Sequence, residues 1–114
     1  MTKKYTDLPE KTCTIEQLVT IPKDIKKVIA GEKQATRRNG RYADVGEVMY
    51  LEGQAFIVTD VYAAQLKDMT DQDAVMEGYE DLAAYQSFIL SLHPGMRWVP
   101  EMKVWVHEYE KKEI

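Results

Sequence analysis

At 114 residues, with 45% hydrophobic side chains and one cysteine, Cys13, the chain suffices for one domain with its own core and no internal disulfide. Its net charge of −4 argues against a general nucleic-acid binder, and no run approaches the roughly 18 apolar residues that a membrane span needs. No apolar stretch follows Lys3 and Lys4, so the start does not read as a signal peptide. A lone thiol fits a reducing compartment, and the expectation is a cytoplasmic protein with no membrane contact.

Residues 1–12 are polar and are expected to fray. Thr14-Ile15-Glu16-Gln17 fits a capping box and opens a short helix over about 15–19. Pro22 stands at a first helical position, and Ile25, Val28 and Ile29 follow at helical spacing. They predict a helix from Pro22 to Ala30 with Lys23, Lys26 and Lys27 on its other face. Gln34 to Arg38 reads as extended, and Asn39-Gly40 as a turn. Val48 to Leu51 and Ala55 to Val61 are apolar, β-rich runs joined by Glu52-Gly53, a hairpin signal; the second continues to about Leu66. Thr70 caps a short helix over 71–77 that Gly78 ends. From Asp81 to Leu92, the residues Leu82, Tyr85, Phe88, Ile89 and Leu92 form one apolar stripe, stopped by His93-Pro94-Gly95. Lys103 to Tyr109 reads as a strand with Val104 and Val106 on one face and Trp105, His107 and Tyr109 on the other. Apolar bulk on both faces makes it a central strand. The order implies an α+β fold in one domain spanning 1–114: a small β-barrel of five to six mixed or antiparallel strands, flanked by about four helices.

Charge is unevenly spread. Between Lys23 and Arg41 seven lysines and arginines face two carboxylates, a net +5. From Tyr42 to Glu110 three basic residues face thirteen acidic ones, a net −10. A basic strip on an acidic body can draw in a phosphate-bearing ligand; equally, it can be a solvated helix face and a charged loop. Within the strip, Gly31-Glu32-Lys33-Gln34-Ala35-Thr36-Arg37-Arg38 is the most informative stretch. Gly31 can stop the helix in a positive-φ conformation. Lys33 then falls on a turn, while Thr36 and Arg38 share a face of the extended segment.

The spacing Gly31-x-Lys33-x-x-Thr36-x-Arg38 after a helix resembles the ASCH family of the PUA-like β-barrel superfamily. Val45-Gly46-Glu47, Glu77-Gly78-Tyr79, Leu92-His93-Pro94-Gly95 and Val104-Trp105-Val106-His107 extend the resemblance over about residues 22–110. It implies RNA or a modified nucleoside as partner, held in a cleft beside Lys33, Thr36 and Arg38. It also implies an alternative activity, since some small bacterial members look like amidohydrolases that remove the acetyl group from N(4)-acetylcytidine. Their catalytic lysine and threonine match Lys33 and Thr36, and their glutamate is nearest to Glu77, across a small gap. Others are linked to RNA binding or RNA cleavage, so a ribonuclease is a third reading.

Chemically, a threonine hydroxyl needs a base to become a nucleophile. Lys33 can serve where a neighbouring cation such as Arg37, Arg38 or Arg41 lowers its pKa. Glu77 can carry a proton to a leaving amine, and Arg38 can hold a carbonyl or phosphate oxygen through two hydrogen bonds. Arg37 and Arg41 are further ligand-binding candidates, and Tyr79 and Trp98 are candidates to stack on a base. The plainer reading has Lys33 paired with Glu32 or Glu77, Thr36 as an ordinary strand residue and both tryptophans as packing. His93, His107 and Cys13 have no zinc spacing, so no metal and no cofactor are expected. The oligomeric state is not legible.

Overall fold

The structure is a computed structural model that describes residues 10–11, 13–95 and 97–112. The expectation for residues 1–12 therefore falls almost wholly outside the described residues.

A 3-10 turn, Ile15–Gln17, opens the fold; the Thr14 amide meets Gln17 Oε1 at 3.5 Å. Helix α1 (Pro22–Ile29) begins on its proline as expected. It leads into strand β1 (Ala35–Arg38). Strands β2 (Val48–Leu51) and β3 (Gln54–Gln65) form the hairpin. Its two-residue turn, Glu52-Gly53, takes positive φ at both positions, 49° and 82°, which matches the twist of the flanking strands. A second 3-10 turn (Leu66–Asp68) precedes α2 (Asp71–Met76) and α3 (Leu82–Leu92), and β4 (Lys103–Lys111) closes the chain. Thr70 caps α2 in a reciprocal box with Asp73, at 3.2 and 2.9 Å. Asp81 caps α3 by accepting from the Ala84 amide at 2.8 Å.

The strands form one antiparallel sheet in the order β1-β4-β3-β2, so β4 is central, as its two apolar faces imply. The expectation of five to six strands needs correction: the described residues form four, curled into half a barrel. Three α-helices and two 3-10 turns stand where about four helices were expected. The cause is β3. It runs twelve residues and bends at a bulge between Val58 and Asp60, so one long strand spans both walls that two shorter strands would build.

The bulge also shifts the inward phase. Phe56 and Val58 point into the larger core, and the next inward residue of that core is Val61 rather than residue 60. That core lies inside the curl, where Leu18, Val19 and Val28 cover Met49, Leu51 and Tyr109. A smaller cluster on the other face holds Ala35, Tyr62, Ala64 and Val106, with Met76 of α2 against it. Alternation along β1 thus divides its side chains: Ala35 and Arg37 turn toward α2, and Thr36 and Arg38 turn inside the curl.

Candidate functional site

Helix α1 ends in a Schellman motif. The Gly31 amide donates to Val28 O at 3.0 Å and the Glu32 amide to Lys27 O at 2.9 Å, with Gly31 at φ +81°. The Lys33 amide also reaches Lys27 O, at 3.1 Å. The chain is thus still turning at Lys33, which aims this side chain away from β1 and toward the end of α2.

Glu77 comes to meet it. The Gln34 amide donates to Met76 O at 2.7 Å, so the end of α2 docks on the free edge of β1. Glu77 is the next residue, and Gly78 at φ +93° turns the chain away. A Cβ on Gly78 would stand 3.1 Å from Lys27 Cδ and 3.4 Å from Lys33 Cβ, so a hydrogen there lets the three segments close up.

The result is a buried ionic network. Lys33 Nζ donates to Glu77 O at 2.9 Å and to Glu77 Oε1 at 3.3 Å. Arg37 Nη1 donates to Glu77 Oε2 at 3.3 Å, and Arg37 Nη2 lies 3.9 Å from Asp73 Oδ2. Glu77 is 2% exposed, Lys33 4% and Arg37 9%. Charges this deep persist only when each is paired and hydrogen-bonded, and both carboxylate oxygens of Glu77 are engaged.

Thr36 lies on the other face of β1. Its hydroxyl shares a hydrogen bond of 2.8 Å with the Tyr109 hydroxyl, and Lys33 and Thr36 are not bonded to each other. Burial raises the Tyr109 pKa, the Thr36 bond lowers it, and the nearby charges of Glu77 and Asp24 raise it further. The expected catalytic set is thus divided, with Lys33 bonded to Glu77 and Thr36 bonded to Tyr109 on the other face of β1. Beside them His107 is fully buried. Its Nε2 accepts from the Tyr42 amide at 3.0 Å, so the proton sits on Nδ1, which donates to Thr36 O at 3.3 Å. Burial pushes its pKa down to about 4, and the Arg38 charge acts the same way.

The other candidates take separate places. Arg38 does share a face with Thr36, but its Nε and Nη2 both donate to Leu18 O, at 3.0 and 2.6 Å, tying β1 to the N-terminal turn. Arg41 pairs with Asp44 at 3.4 Å. Tyr79 stacks edge-on to Tyr85 and tilted on Phe88, and Lys27 Nζ sits 4.3 Å from its ring centre. Trp98 meets Tyr85 edge-on at 6.2 Å. Arg37, Arg38, Tyr42, Tyr85 and Trp98 line one cavity of about 480 Å³. Arg37 therefore joins the ionic network to that cavity. A groove of about 400 Å³ on the other side of the turn is lined by Lys33, Val28 and Tyr109. Tyr109 and Asp73 entered the site from outside the sequence reading. Their side chains are 73 and 36 positions from their partners, and no local pattern ties them together.

No protein-family model matches the sequence, and no curated protein sequence does. The fold, however, matches solved structures. An ASCH domain from Lactobacillus crispatus JV V101 superposes over 90% of this chain and 77% of its own, with a TM-score of 0.66 at 15% identity. The chain has the fold of an ASCH domain. Protein EF3133 of Enterococcus faecalis V583, described under the family model DUF984, matches 77% of this chain and 66% of its own, with a TM-score of 0.57 at 17% identity. In this ASCH fold the Gly31-to-Arg38 segment occupies the edge strand β1 and the turn before it. Glu77 reaches that edge from α2, although the sequence alone places it with a gap. No described helix is long and apolar enough to cross a membrane.

Proposed function

We propose that this chain binds a modified nucleoside, free or within RNA, in the cavity that Arg37 and Arg38 share with Tyr42, Tyr85 and Trp98. The observation that carries the reading is the position of Arg37, which lines that cavity while its guanidinium pairs with buried Glu77 at 3.3 Å. A cavity of about 480 Å³ is ligand-sized, and its aromatic wall with a few polar groups suits a base. The ASCH fold supports the class of partner by analogy. The acidic remainder of the chain disfavours a long phosphate backbone, which favours a single nucleoside or a short loop. Calorimetric titration with cytidine, N(4)-acetylcytidine and a short single-stranded RNA tests this. Nucleoside binding that depends weakly on salt is expected, and no binding of any of the three overturns the reading.

A second reading, amidohydrolysis of N(4)-acetylcytidine, is favoured by the buried amine and carboxylate 3.3 Å apart at Lys33 and Glu77. In it Thr36 Oγ1 adds to the acetyl carbon while its proton passes by way of the Tyr109 hydroxyl, its partner at 2.8 Å, to Lys33. The carbon–N4 bond breaks as that proton passes through Glu77 to N4. Water then cleaves the acetyl-Thr36 ester, giving acetate and cytidine. Mass spectrometry of the incubated nucleoside detects the loss of the acetyl group. Thr36→Val is expected to abolish turnover with the fold intact; activity retained in that variant excludes Thr36 as nucleophile.

A further inference from the structure

Two guanidinium groups reach the cavity at the end of β1, and only one of them is neutralised. Arg37 pairs with Glu77 at 3.3 Å and lies 3.9 Å from Asp73 Oδ2. Arg38 directs Nε and Nη2 at a single neutral acceptor, Leu18 O, and pairs with no carboxylate among the described residues. Both bonds leave one side of the guanidinium fork. The other side, where Nη1 and Nη2 each keep a hydrogen, has no acceptor among the described residues. That side is the one that holds two oxygens of an anion in parallel.

The lining of the cavity suits an anion. The chain carries 19 aspartates and glutamates, yet no carboxylate among the described residues lines this cavity. The two neighbouring grooves each carry a pair, Glu108 with Glu110 and Glu32 with Glu80. Depth is graded as well. Leu66, Tyr85 and Val104 are buried at the floor, Arg38 and Trp98 are half-buried on the wall, and Asn39 and His93 are exposed at the mouth. An apolar, aromatic floor takes a base, and a wall and mouth that supply N–H donors take the anionic end of the same molecule.

We propose that the occupant is a nucleoside monophosphate, with its base against Tyr85 and Trp98 and its terminal phosphate on the open side of the Arg38 guanidinium. Asn39 and His93 stand beside that phosphate at the mouth. The inference rests on the nucleoside-binding reading above and adds a charged group to the ligand. Near pH 7 a phosphate monoester carries a charge of about −1.5 to −2, which answers the uncompensated guanidinium. An internal phosphodiester carries a single charge and brings flanking nucleotides against the acidic remainder of the chain, so a terminal group fits better.

Calorimetric titration compares cytidine with cytidine 5′-monophosphate and cytidine 3′-monophosphate. At least one monophosphate is expected to bind roughly ten- to a hundredfold more tightly than cytidine, the range of hydrogen bonds to a charged group. The net charge of −4 opposes that gain, so attraction by the chain as a whole does not supply it. In Arg38→Gln the ratio of monophosphate to nucleoside affinity is expected to fall to near one. His93→Ala, at an exposed position that folding tolerates, is expected to lower the ratio roughly two- to fivefold. A short RNA with and without a terminal phosphate separates the two sources of the group: a gain there assigns the site to strand ends, and its absence assigns it to free nucleotides. Equal affinity for cytidine and both monophosphates overturns the proposal while the nucleoside reading stands, and so does a ratio that neither variant changes. No binding of cytidine or of either monophosphate removes both.

Discussion

Glu77→Gln is the perturbation that most directly probes the buried network. The substitution keeps the shape and removes one negative charge from between two cations. Lys33 would keep its bond to the residue 77 carbonyl at 2.9 Å, and Arg37 would keep Asp73 at 3.9 Å. Breaking a buried pair by deleting one partner typically costs about 3–5 kcal/mol, and these two remaining contacts set the expectation near the lower end, about 3 kcal/mol. For a domain of this size total stability is roughly 6–17 kcal/mol, so the variant should still fold, with a melting temperature lower by about 10 °C. Urea unfolding measures the loss as a shift of midpoint at unchanged slope. Adding Lys33→Met to Glu77→Gln removes one of the stranded cations and should recover part of the stability, giving a coupling above about 1 kcal/mol in the double-mutant cycle. Because the pair is shielded from solvent, the cost should be nearly independent of salt. A loss below about 1 kcal/mol, with no coupling to Lys33→Met, would show that water reaches these charges and would refute the account of a closed ionic site.

Three further outcomes are expected. His107 is neutral in the fold with a pKa near 4, against about 6.5 unfolded, so the unfolded chain binds the extra proton first. Its contribution, up to about 3 kcal/mol, is fully present above pH 6.5 and is lost as pH falls toward 4; the stability difference between wild type and His107→Gln should shrink over that window, and a constant difference counts against the buried neutral ring. Gly78→Ala should destabilise more than Gly46→Ala, because both positions need positive φ but only the first brings a Cβ against Lys27 and Lys33. Equal melting shifts would deny that crowding. Thr36→Val and Tyr109→Phe should each cost about 1 kcal/mol and the double variant little more than either, since they remove one shared hydrogen bond; additive losses would place the two hydroxyls in separate contacts.

Local chemistry made most elements legible. Pro22 and Gly31 bracket α1, Glu52-Gly53 sets the hairpin, and Thr70 and Asp81 cap their helices. The run from Ala55 to about Leu66 could be read as one strand, but its bulge was not legible, because no local signal marks Thr59 as the residue that drops out of the ladder. Around the site, the spacing of Lys33 and Thr36 could be read, and so could the bend at Gly31. Which arginine meets Glu77 could not. Arg37 and Arg38 are chemically alike, and only the face of β1 turned to α2 decides that Arg37 joins the network while Arg38 ties down Leu18 O. Tyr109 and Thr36 come from the last strand and the first, so the meeting of their hydroxyls is purely tertiary.

The bulge in β3 governs more than curvature. Thr59 is the single unpaired residue between Val58, opposite Tyr109, and Asp60, opposite Glu108. It sets the parity of everything downstream: Val61 faces Leu18 and Val28, while Tyr62 and Ala64 face Ala35 and Met76. The same twelve residues in a regular strand, with Thr59 paired and no bulge, would exchange the two sets, placing a phenol where the interior holds an isopropyl group. The surface on which β4 presents Tyr109 to Thr36 would lose its backing without a single contact residue being altered.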